Sequence, residues 1–80
     1  MVSRYFFHVY SDSVVLDEDG EELASPTLAR EAAVRAAREF AAEEISKRGE
    51  LHLRHRIEVE DEQGRPIFTL PFSTAFKIVY

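Results

Sequence analysis

Three histidines, fifteen carboxylates, ten cations and six serines are the side chains with which this sequence could do chemistry. His52 and His55 are three residues apart, but no cysteine supports them and no His-Glu-x-x-His spacing occurs, so no metal is expected there. The acidic run Asp17 to Glu22 invites comparison with a calcium loop. Placing Gly20 on the loop glycine puts Val15 at the first ligand position and Pro26 at the bidentate glutamate position, and the template fails. The run then reads as a solvated turn. None of the serines lies in Gly-x-Ser-x-Gly, and three glycines make no phosphate-cradling loop. The expectation is a chain that is not an enzyme and needs no metal or cofactor.

Lys47, Arg48, His52, Arg54, His55 and Arg56 form the one basic cluster. A net charge of -5 opposes a phosphate backbone, which rewards basic surfaces. Nucleic acid is therefore not the expected partner. The cluster reads instead as a helix C-terminus whose cations match the helix dipole, followed by a solvated strand edge. No apolar run approaches the roughly 18 residues of a membrane span. Absence of cysteine fits a reducing compartment. Met1-Val2-Ser3-Arg4 leads into aromatic residues rather than a signal-like apolar segment. A cytoplasmic protein without membrane contact is expected.

The elements that must position these groups are few, since eighty residues make one small domain, 1–80, with a thin core. Arg4 to Tyr10 reads as a strand, apolar on both faces: Tyr5, Phe7 and Val9 on one, Phe6, His8 and Tyr10 on the other. Val14 to Leu16 reads as a second strand after the Ser11-Asp12-Ser13 turn. Ser25 can cap a helix, Pro26 fits its first position, and Gly49 can end it, which predicts a helix over 26–48. Its apolar stripe is mostly alanine: Leu28, Ala29, Ala32, Ala33, Ala36, Ala37, Phe40, Ala41 and Ile45. Glu31–Arg35, Glu43–Lys47 and Glu44–Arg48 are spaced for ion pairs on the opposite face. Arg56 to Glu60 alternates as a strand, and Ile67 to Phe72 as another, with Asp61 to Gly64 as the hairpin loop. Ser73 to Phe76 suits a single helical turn, and Lys77 to Tyr80 a fifth strand or part of a cover over the sheet. The fold class is α+β, ββαββ, with one long helix on a four-stranded antiparallel sheet. Val15 to Gly20 echoes Val59 to Gly64, which we read as one turn chemistry used twice.

Arg4-Tyr5-Phe6-Phe7-His8, Asp17-x-x-Gly20-x-Glu22-Leu23, the alanine- and arginine-rich helix, Arg56-Ile57-Glu58-Val59 with Asp61-x-x-Gly64, and Pro71-Phe72 follow in order. In this the chain resembles a family of short bacterial proteins catalogued only as a domain of unknown function. The resemblance implies the fold and a bacterial cytosolic setting, and carries no activity and no site residues. A looser likeness, to the partial double-stranded-RNA-binding-like fold of HicB-type antitoxins, implies a nucleic-acid-associated regulator as the alternative function.

One helix covers one face of a sheet. With Tyr5, Phe7, Val9, Ile57, Val59, Phe68 and Leu70 under it, the far face carries Phe6, His8, Tyr10, Arg56, Glu58, Ile67 and Thr69. Aromatic and apolar groups with a charged rim suit a protein interface. The expected function is a non-catalytic protein-interaction or self-association module, with a homodimer or another protein as partner. The competing expectation is that Phe72, Phe76 and Ile78 fold back over this face.

Overall fold

The computed structural model describes residues 2–80; Met1, part of the opening read above, lies outside them. The chain is an α+β fold of one helix and a five-stranded antiparallel sheet. Strand β1 (Ser3–Tyr10) is central. Strands β2 (Val14–Val15) and β3 (Glu21–Leu23) both pair with one edge of β1, at opposite ends of it. Strand β4 (Arg56–Glu60) pairs with the other edge, and β5 (Pro66–Pro71) lies outermost. Helix α1 (Pro26–Arg48) connects β3 to β4.

Four strands stand where the alternation predicts them, and β3 is an addition. Glu-Glu-Leu has no period-two pattern, so nothing in its own side chains announces a strand. Its partner imposes it: Arg4 lies opposite Glu22 and donates to its carboxylate at 2.6 Å. The last four residues, Lys77 to Tyr80, form no strand. A short 3-10 turn, Phe72–Thr74, stands at the start of the predicted helical turn.

The caps of α1 form as the sequence implies. Ser25 Oγ accepts the Leu28 N–H at 3.2 Å, Pro26 opens the first turn, and Gly49, at φ 66°, donates to the Ile45 carbonyl at 2.9 Å. The lower face buries Ala29, Ala33, Ala37 and Ala41 against Ile57, Val59, Leu70 and Phe72, and Ala32 is buried beside them in sequence. Methyl-sized side chains let the helix axis approach the sheet, so the bulk comes from the strands and the C-terminal turn. Leu28 and Ile45 are exposed, contrary to their place on the expected stripe. A 23-residue helix is about 35 Å long at 1.5 Å per residue, and both residues lie outside its buried stretch, which runs from Ala29 to Ala41. Phe40 is half-buried and meets Phe72 edge-on, with ring centroids 5.8 Å apart. Phe72 and Ala75 are buried in this core, so the C-terminal turn packs on the helix side of the sheet and does not cover the far face.

Lys47 meets Glu43 at 2.6 Å and Arg48 meets Glu44 at 3.7 Å. The third expected pair, Glu31 with Arg35, does not form. Exposed pairs of this kind are worth only a few tenths of a kcal/mol, so a solvated rotamer competes on equal terms.

Candidate functional site

The far face of the sheet is built from three cross-strand rows. Phe6 stands opposite Glu60; His8 opposite Glu58, which stands opposite Thr69; and Tyr10 opposite Arg56, which stands opposite Pro71. Ile67 lies on β5 beside Thr69 and is exposed. A register shift at Val59/Glu60 accommodates Pro66, which has no N–H to give the ladder.

The two ends of this face differ. At one end the chain between β2 and β3 leaves the ladder at Leu16 and returns at Glu21, so the middle of β1 has no strand on that edge. The Asp17 carboxylate replaces it. Its Oδ2 accepts the Phe7 N–H at 3.1 Å, and its Oδ1 accepts the N–H groups of Asp19 and Gly20 at 3.2 and 3.1 Å. The Asp17 N–H donates to His8 Nδ1 at 3.0 Å. With Nδ1 an acceptor, the neutral ring carries its proton on Nε2, which donates to Glu60 at 3.1 Å. His8 is buried by these contacts, and its ring bond goes to Glu60 rather than to Glu58, its partner in register. Burial alone pushes the Asp17 carboxyl up. The N–H bonds from Gly20, Phe7 and Asp19, with the nearby His8 ring, outweigh it and hold the carboxyl below its ordinary 3.8. Gly20, at φ 71°, sits against the Phe6 ring, where an added Cβ would stand 2.9 Å from a ring carbon. This loop half-covers Phe6 and seals His8.

The other end is open. The Arg56 guanidinium lies 4.4 Å from the centre of the Tyr10 ring, and its Nε donates to Glu58 Oε2 at 2.6 Å. Thr69 and Ile67 continue this surface toward the β5 edge. Of the seven residues expected on the face, Tyr10, Arg56, Glu58, Thr69 and Ile67 form this strip, whereas Phe6 and His8 lie beneath the 16–20 loop. The arrangement offers an aromatic ring, a guanidinium, a carboxylate and a hydroxyl side by side, which is the chemistry of recognition.

The remaining candidates are dispersed. His52 stacks on His55 at 4.5 Å, and His55 is buried edge-on to Phe72. Among the described residues no three of His, Asp and Glu come together as a metal site. The basic cluster is largely neutralised in place, Lys47 by Glu43, Arg48 by Glu44 and Arg56 by Glu58, while His52 Nε2 lies 3.0 Å from Glu50 Oε1. Sequence reasoning took Asp17 to Gly20 as a solvated turn and missed its contacts with Phe7 and His8 of β1. Their signal was the Asp-x-x-Gly echo, since Asp61 likewise accepts the Gln63 and Arg65 N–H groups, and Gly64 stands at φ 76°.

Neither the curated proteins nor the solved structures give a match to this chain. The model of one family, described as a domain of unknown function, DUF6894, matches residues 4–73, a stretch that contains every strand residue beyond Ser3, the whole helix and the Asp17 and Asp61 turns. On that match the chain belongs to the DUF6894 family.

Proposed function

We propose that this chain is a small, non-catalytic, cytoplasmic protein-interaction module that self-associates through the open strip of its sheet. The observation that carries the reading is the pairing of faces: α1 and the C-terminal turn cover one side, while on the other Arg56, Thr69 and Ile67 are exposed and Tyr10 and Glu58 half-buried. Tyrosine and arginine are the residues around which interface energy concentrates. A second copy is the favoured occupant because the strip holds donors and acceptors together, as a two-fold interface requires of one surface. Among the described residues no helix is long and apolar enough to cross a membrane. The alternative, a nucleic-acid-associated regulator, is opposed by the net charge and by the neutralised basic cluster.

Light scattering at tens of micromolar tests the proposal. The expected mass is about twice the 9.2 kDa of the chain. Tyr10→Ser with Ile67→Ser is expected to return a monomer with unchanged helical circular dichroism. A native chain that is monomeric at that concentration overturns the self-association reading.

A further inference from the structure

Five of the ten lysines and arginines lie within 4.0 Å of a carboxylate: Arg4, Lys47, Arg48, Arg56 and Arg65. Three of the other five, Arg30, Arg35 and Arg38, stand together on α1. They line an open cleft of about 330 Å³ with Glu31 and Val34, and Arg30 also lines an adjoining cleft of about 320 Å³ with Pro26, Thr27, Ile67 and Phe68. The first cleft is lined by α1 residues alone and the second by α1 and β5 residues; they meet at Arg30 in a shallow groove that runs from α1 to the β5 edge.

Two of the three arginines are held in place by groups that leave their charge intact. The Arg30 guanidinium lies 5.1 Å from the centre of the Phe68 ring. Arg38 Nε donates to the Ala75 carbonyl. A guanidinium fixed by an aromatic face or a neutral carbonyl keeps donors for a carboxylate and loses little rotamer freedom on binding. With Glu31 the only acid in the lining, the groove carries a net positive charge in a chain whose total is -5.

The groove also adjoins a free sheet edge, since β5 is outermost. The Phe72 N–H donates to the His55 carbonyl, so the alternate N–H groups of Leu70 and Phe68 point to β4 and those of Ile67 and Thr69 point away. Pro66 and Pro71 bracket this edge and restrict any pairing to a short stretch. Phe68 and Val34 supply apolar contact between the edge and the arginines, and Ile67 borders the second cleft at its rim.

We propose that this groove docks a short, extended, acidic segment of a partner protein, with alternate residues acidic and apolar. Its main chain pairs with the Ile67–Thr69 edge, so alternate side chains take opposite faces: the carboxylates meet Arg30, Arg35 and Arg38 on the helix side, and the apolar side chains rest on Ile67 on the far side. Arg30 to Arg38 spans about 12 Å along the helix, which suits a few residues of such a segment. A nucleic acid extends far beyond so short a row and meets the acidic remainder of the surface, so a peptide is the better fit. The inference rests on the interaction-module reading; it shares Ile67 with the sheet-face dimer but does not use Tyr10 or Arg56.

Fluorescence anisotropy with the full chain tests it, using a labelled alternating glutamate–valine octapeptide. The controls are the glutamine–valine and lysine–valine octapeptides and a mixed single-stranded oligonucleotide. Saturable binding of the acidic peptide alone is expected, falling about tenfold or more as salt rises from about 50 to about 300 mM. Arg30→Gln with Arg35→Gln is expected to weaken it about tenfold or more with unchanged circular dichroism, whereas Arg54→Gln leaves it unaltered. Equal binding of the glutamine peptide, tighter binding of the oligonucleotide, or no saturable binding overturns the proposal. Light scattering on the same samples separates the two readings. Loss of a doubled mass in the Arg30/Arg35 variant identifies a second copy as the occupant and also overturns the proposal. A monomer that binds the peptide refutes only the sheet-face dimer.

Discussion

Asp17 does the work of a missing strand residue. One carboxylate satisfies the Phe7 N–H of β1 and closes its own turn onto Asp19 and Gly20. Asp17→Ala leaves three N–H groups without that acceptor and is expected to destabilise by about 1–3 kcal/mol, read as a lowered urea midpoint. The pH dependence follows from the lowered carboxyl. Its folded value lies below its unfolded one, so its contribution is complete above the ordinary 3.8 and is lost as pH falls through the lower folded value. The stability gap between the native chain and Asp17→Asn should therefore be constant at neutral pH and shrink below about pH 4. A gap that widens in acid contradicts the assigned direction. The two turn glycines give a paired prediction. Gly20→Ala and Gly64→Ala share a positive φ, worth about 1–2 kcal/mol each. Only at Gly20 does the new methyl also strike Tyr5, Arg4 and Phe6, at 2.9 Å, whereas Gly64 has open space. The Gly20 variant should lose clearly more, measured by denaturant unfolding. Equal losses would show that the 16–20 loop does not press on Phe6.

At the scale of elements, what could be read in advance is what has a period or a cap. The helix carries both, and its bounds match the positions of Ser25, Pro26 and Gly49. Strands β1, β4 and β5 alternate against a buried face and are legible for that reason. Strand β3 was not, because an exposed edge strand with glutamates takes its conformation from the neighbour's backbone. The open strip was legible in part. Alternation placed Phe6 and His8 on the far face, but only the loop geometry, with its Asp17 contacts, determines that they are covered. Phe72 was read as the end of the last strand or as part of a cover over the far face; the strand stops at Pro71 and the following turn carries Phe72 to the helix side. It ends under the helix, among the most deeply buried large side chains. Phe72→Ala should cost about 3–5 kcal/mol, and Phe40→Ala, half-exposed, clearly less, by urea midpoints. The reverse order would place the aromatic anchor on the helix instead of the C-terminal turn.

The whole molecule is a slab of 41 × 25 × 17 Å, and two of its surfaces are incompletely matched within one copy. One is the aromatic and charged strip from Tyr10 to Ile67. The other is the row of arginines beside β5. On the proposed reading both serve recognition. Isotope-filtered NMR on an equal mixture of labelled and unlabelled chain tests the self-association claim most directly. The account predicts intermolecular cross-peaks from Tyr10, Thr69 and Ile67 that vanish in the Tyr10→Ser, Ile67→Ser variant. Absence of any intermolecular cross-peak in the native chain, or cross-peaks confined to α1, would contradict it.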